Sequence, residues 1–284
     1  GNLIFRDTDM DIRLNPPIET AKKWRWWEKR LLNRYFLKIS SLNGLFSLRD
    51  RAEGFAERML ARCISNETHR IRDQYMQAIY AGTTINLSHL ASSIITSLIW
   101  RNRMEIGIVD FHVALYLALK NLQAAANVHL HRSLDWPDRY RSLLDGESFE
   151  LDRFLGLCKR TGLVDKTPDA YRFLDKLRQE YEFDEIRIEN PILVYANEVA
   201  PIAAVGEAVE AALQKFSTVT GQELAHFLFD DELRAQAWNR DHFSKELHRE
   251  INDTETATKS GAPYLLLPKE RAKKGVLLVH GFLA

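Results

Sequence analysis

"TTINLSHLASSIITSLIWRNRMEIGIVDFHVALYLALKNL", residues 83–122, decides the fold class. Leu87, Leu90, Ala91, Ile94, Ile95 and Leu98 recur at helical spacing, on one stripe of a helix rather than on alternate faces of a strand. A second run, "VDFHVALYLALKNLQAAANVHLH" from Val109 to His131, continues the pattern, with Asp110 placed to cap it.

The same periodicity extends in both directions. Upstream, "MDIRLNPPIE" reads as a short strand leading to Pro16 and Pro17, where a helix can begin because an N1 proline gives up no useful N–H. Phe55, Ala56, Met59, Leu60 and Cys63 then share a stripe. Downstream, Leu151, Phe154, Leu155 and Cys158 precede Gly162, a helix stop, and Thr167-Pro168 is expected to open another helix with Ala170, Leu174, Leu177 and Tyr181 on its face. No fixed repeat emerges. The expectation is a mainly α fold with a helical domain over residues 1–251.

The texture changes after that. Residues 252–262, "NDTETATKSGA", are polar and run into Pro263, which marks a linker. Two short apolar runs follow, "YLLLP" and "GVLLVH", separated by the charged turn "KERAKK". Their length and flanking Pro and Gly favour strands, so residues 263–284 read as a hairpin or as the opening strands of a second domain.

Composition narrows the function classes. With 284 residues, 45% hydrophobic and 27% charged, the chain can bury a real core and is neither a disordered tail nor a disulfide scaffold. Zero formal net charge gives no overall attraction to nucleic acid. The average hides a gradient: residues 11–62 carry twelve basic against six acidic side chains, and residues 204–256 five against eleven. The first region should prefer anionic surfaces. Cys63 and Cys158 stand far apart, without metal-ligand spacing, which fits a reducing compartment and names no metal. No cofactor is expected. The start, "GNLIFRDTD", has no initiator Met, basic n-region or cleavable apolar segment, and reads as the interior of a longer protein.

The run Val276–His280 ends in His-Gly-Phe, and there it resembles the α/β-hydrolase superfamily over about the last 22 residues. The resemblance implies that the backbone N–H of Phe282 helps form an oxyanion hole, with His280 and Gly281 shaping the loop. A fixed N–H aimed at the tetrahedral intermediate lowers the barrier by about 2.7 to 4 kcal/mol. The plainer alternative is a strand that ends at a glycine turn. None of the thirteen glycines belongs to a G-x-S-x-G, so no catalytic nucleophile is assigned within the sequence.

The helical region, with "ENPILVYANEVAPIAAV" after a gap, loosely resembles the helical tail that follows the catalytic domain of glycerol-3-phosphate acyltransferases. Tyr195 and Asn197 stand at the comparable place, and "DIRLNPPIE" is similar to the closing strand of that catalytic domain. The family's signature His and Asp, four residues apart, is missing. "HLHRSLD" separates His131 from Asp135 by three residues and His129 from Asp135 by five, so His131 and Asp135 read as a surface pair on one helix.

One stretch carries chemistry of its own: "AKKWRWWEKRLLNRYFLKI". On a helix Trp24, Trp27, Leu31, Leu32, Tyr35 and Ile39 form one apolar face. Trp26 points the other way, among Lys22, Lys23, Lys29 and Arg30. An indole within a basic cluster suits the headgroup zone of an anionic membrane. The alternative is an ordinary amphipathic helix whose Trp26 meets a neighbouring domain, and nucleic acid ranks last.

Gln74–Trp100 contains no Asp, Glu, Lys or Arg, but its polar residues and Gly82 favour buried helices over a membrane span. His226, His242 and His248 lack metal-ligand spacing and read as surface or packing residues.

The expected whole is a helical domain joined to the first two strands of a truncated α/β-hydrolase domain. Such a protein would be a serine esterase or lipase behind an acyltransferase-like region, taking an acyl-lipid or ester substrate. It would be cytoplasmic and peripheral on the inner face of a membrane. The rival from another class is a non-catalytic helical module that binds an anionic membrane or a protein partner. A third reading makes the helices a cap over a hydrolase pocket.

Overall fold

The computed structural model describes residues 14, 16–18, 25–36, 54–146, 148–182, 185–243, 263–268 and 274–278. It is mostly helical, as the periodicity predicts, and falls into two compact units, residues 1–84 and 85–284.

In the first unit, α1 spans Trp26–Phe36 and α2 spans Phe55–Ala81. Pro16 and Pro17 are not in a helix. The start is set further on, where Glu28 Oε2 accepts the Arg25 N–H at 2.7 Å and satisfies an otherwise orphaned donor. The two helices pack together, with the Cys63 thiol donating to Glu28 Oε1 at 3.9 Å. Burial first, and the Glu28 carboxylate second, push that thiol's pKa up. α2 closes at Gly82, the break the sequence anticipates.

The second unit opens at Ile85 of the short strand β1 (Thr84–Ile85), whose carbonyl accepts from His131 N at 2.8 Å. Next comes α3 (Leu87–Trp100). Asn86 caps it: its Oδ1 accepts the His89 N–H at 3.1 Å, and His89 Nδ1 accepts the Asn86 N–H at 3.1 Å, a reciprocal capping box. Asn86→Ala is expected to cost about 1 kcal/mol, read as a lower midpoint in urea. Asn86→Asp should keep most of the stability.

Strand β2 (Glu105–Gly107) runs directly into α4 (Ile108–Ala124). The cap expected at Asp110 is therefore misplaced. The N-cap is Gly107, because the Ile108 N–H is already spent on Asp169 O at 2.9 Å. Asp110 sits inside the first turn, where its charge still favours the helix N-terminus. The helix also stops short of His131: Asn127, at φ 59°, turns the chain into β3 (His129–Leu130).

Two short helices follow, α5 (Arg132–Asp135) and α6 (Pro137–Tyr140), then α7 (Phe149–Arg160). α7 buries Leu151, Phe154, Leu155 and Cys158 and ends as predicted at Gly162, whose φ of +69° suits glycine.

The helix expected from Thr167-Pro168 is instead a hairpin. β4 (Val164–Lys166) and β5 (Ala170–Phe173) pair antiparallel, and β2 pairs with the other edge of β5 in the order β2-β5-β4. Thr167 closes the turn twice, through its N–H to Ala170 O at 2.9 Å and its hydroxyl, which accepts the Ala170 N–H at 3.0 Å. The apolar residues that decide the matter are Tyr171 and Phe173, buried at strand period.

The remaining helices are α8 (Ile186–Glu189), α9 (Pro191–Val199), α10 (Ala203–Lys215) and α11 (Gly221–Phe243). α10 packs along α4, and α9 along α3. The core between them holds Leu90, Ile94, Ile95, Leu115, Leu119 and Val209.

Residues 263–268 and 274–278, expected as the first two strands of a hydrolase domain, carry no strand pairing among the described residues. A strand is stabilised by hydrogen-bonded neighbours. Here the apolar side chains of Leu266, Val276, Leu277 and Leu278 are largely exposed.

Candidate functional site

The expected surface helix comes first. Trp26 is 74% exposed, and Lys29, Arg30, Asn33 and Arg34 are exposed with it. At 100° per residue, positions 26, 29, 30, 33 and 34 occupy one side of α1. Trp27 and Glu28 are half-buried, and Glu28 is held by Cys63 on α2. α1 thus presents an indole flanked by cations to solvent. Lys22, Lys23 and Trp24, and the whole of His280, Gly281 and Phe282, lie outside the described residues.

Among the described histidines, His89 stands beside Glu198 with Nε2 to Oε2 at 3.0 Å. The pair resembles a general base and its orienting acid, but both ring nitrogens are committed. Nδ1 accepts the Asn86 N–H, so Nε2 carries the proton and donates it to Glu198. No lone pair is left to accept a substrate proton. The Tyr195 ring, which the acyltransferase resemblance singled out, packs edge-on to His89 at 5.4 Å and to Phe154 at 5.7 Å.

His112 is 2% exposed. Its Nδ1–H donates to Leu143 O at 2.8 Å, leaving Nε2 to face the Tyr171 hydroxyl at 3.4 Å. Desolvation lowers its pKa. The unfolded chain therefore takes up a proton at higher pH than the folded one, and this residue's contribution is complete above the unfolded value of about 6.5 and declines as pH falls below it. His112→Gln is expected to flatten that part of the stability profile below about pH 6.5, measured by urea unfolding at each pH.

His131 does not share a helix with Asp135 in the way expected. It caps the four-residue α5, its Nδ1 accepting the Ser133 N–H at 3.3 Å and lying 2.8 Å from Ser133 Oγ. His226 is exposed, and His242 and His248 carry no described side chain. Among the described residues no group of three or more His, Cys, Asp or Glu side chains could hold a metal ion.

One constellation escapes a reading of the sequence. Asp231 of α11, 0% exposed, accepts from Lys120 Nζ at 2.7 Å, Tyr140 OH at 2.7 Å and Tyr116 OH at 2.5 Å. Lys120 also pairs with Asp230. Burial first, then the bond to Asp231, raises the pKa of both tyrosines, so they remain donors. All three donors converge on one carboxylate, and no reacting group is left over.

A shallow groove of about 650 Å³ lies elsewhere, with Ile99, Leu177, Ile186 and Leu193 among its apolar lining and Trp100 and Tyr181 as aromatic ones. Arg178 lines it too and donates to Asn102 Oδ1 at 2.8 Å. Among the described residues no His, Cys or Ser lines it.

Among the described residues no single helix is long and apolar enough to cross a membrane. The bent pair α9 and α10, turned by 115°, is long and apolar enough only when taken together, and the two helices pack on α3 and α4. No protein-family profile, curated protein or solved structure matches the chain.

Proposed function

We propose that the chain is a helical module that rests on an anionic membrane surface through α1, within a protein that acts on acyl-lipid esters. The observation that carries this is Trp26, 74% exposed beside exposed Lys29 and Arg30. An exposed indole costs little at a headgroup interface and gains there, while nearby cations meet lipid phosphates. Binding to vesicles containing anionic lipid, absent with purely zwitterionic vesicles, is the expected result in co-sedimentation. Equal pelleting of the protein with and without the Trp26→Ser, Lys29→Ser and Arg30→Ser substitutions contradicts it.

The enzymatic part of the reading rests on His280-Gly281-Phe282 and assigns a serine hydrolase reaction on acyl esters, with the Phe282 N–H supporting the oxyanion. The intact protein should hydrolyse p-nitrophenyl acyl esters and lose that activity to a serine-directed fluorophosphonate. Full activity after such treatment rejects this part and leaves the membrane module standing.

A further inference from the structure

α11 is attached to its bundle in an unusual way. Among its residues with described side chains only one is fully buried, and that one is Asp231. By contrast α10 buries Val205, Ala208, Val209, Ala212 and Leu213, and α3 buries nine residues. Among the described residues the apolar support for α11 is partly buried only: Leu224, Phe227 and Phe229, with a Tyr116–Phe227 edge contact at 6.4 Å and a Trp136–Trp238 stack at 5.8 Å. Further ties are polar: Asp230 pairs with Lys120, Lys215–Glu223 at 2.7 Å and Arg141–Glu232 at 3.0 Å lie at the surface, and Gln222 Nε2–H donates to Pro268 O at 3.3 Å.

Buried ions and buried methylenes hold a helix differently. Docking α11 strips water from the Lys120 ammonium and the Asp231 carboxylate, and their mutual attraction does little more than offset that loss. On release both ions and the two tyrosine hydroxyls are rehydrated, whereas an apolar helix would expose surface at a cost proportional to its area. The contact therefore sets the register strictly and holds the helix shallowly. Elements with few buried apolar contacts open locally ahead of the core.

We infer that α11 is a detachable latch: it undocks as a unit from α4 and α6 while α3, α4, α9 and α10 stay folded. The Lys120–Asp231 contact is the catch. This inference stands apart from the membrane reading, because neither residue belongs to the α1 surface.

Hydrogen exchange followed by mass spectrometry on the full chain tests it. In the unsubstituted protein the amides of residues 224–238 are expected to exchange at least about tenfold faster than those of residues 90–99 and 111–122. Asp231→Asn should accelerate the 224–238 set by about a further tenfold and leave both core sets unchanged. The double substitution Lys120→Met with Asp231→Leu, which replaces the ion pair by apolar contact, should slow the 224–238 set below the unsubstituted rate. A common rate for α11 and the core in the unsubstituted protein overturns the inference. So does an Asp231→Asn protein that exchanges faster everywhere to the same degree, or a double variant whose α11 exchanges faster. If Asp231→Asn does not fold, the first and third comparisons still decide.

Discussion

Phe111→Ala is expected to cost about 3–5 kcal/mol, against a total of about 5–15 kcal/mol for a natural domain. Phe111 is 0% exposed on α4 and meets the Tyr171 ring of β5 edge-on at 5.3 Å. With His112, which also faces Tyr171, it joins the central helix to the small sheet. Truncation removes the ring's transfer free energy and leaves a void beside β5, the central strand of its sheet. Phe111→Leu keeps most of the volume and should cost well under half as much. Urea unfolding followed by far-UV circular dichroism reads both. A loss under about 1 kcal/mol for the alanine variant would mean that the sheet does not depend on this contact.

The second large effect concerns the membrane contact. A cation near an anionic leaflet contributes about 1 kcal/mol, so removing Lys29 and Arg30 should weaken vesicle binding about 30-fold, and removing Trp26 weakens it further. The two contributions separate by salt. Raising ionic strength from 0.15 M to 1 M shortens the screening length from about 8 Å to about 3 Å and should suppress the part due to Lys29 and Arg30. The part due to Trp26 rests on apolar insertion and should survive. Binding that ignores salt, and ignores the loss of the cations, would assign the exposed indole to some other partner.

How far the sequence could be read depends on how local each signal is. The stripe Leu87, Leu90, Ala91, Ile94, Ile95 and Leu98 predicts α3 correctly because those residues lie within one helix and all face one core. The Gly162 stop and the outward Trp26 are legible for the same reason.

The hairpin at 164–173 is not legible in that way. Ala170, Leu174, Leu177 and Tyr181 fall at helical spacing, yet Tyr171 and Phe173 win burial through pairing with β2, some 65 residues earlier. Register with a distant strand leaves no trace in a local period. The Asp231 cluster is hidden more completely. "FDDELR" looks like a solvated face, and only the fold brings Lys120, 111 positions away, onto its carboxylate. A signal was present in principle: Lys120 is the one charged residue within the apolar stretch Phe111–Leu122, where an unpaired cation would be costly to bury. It therefore called for an acidic partner, without saying which.

Contact of α1 with an anionic membrane is read by tryptophan fluorescence of the full chain on vesicles whose anionic lipid carries bromine near the top of its acyl chain. Contact of Trp26 with the headgroup zone predicts quenching that is present with anionic vesicles and largely lost in Trp26→Phe. Quenching of equal depth in Trp26→Phe, or none in the unsubstituted protein at saturating lipid, would contradict it.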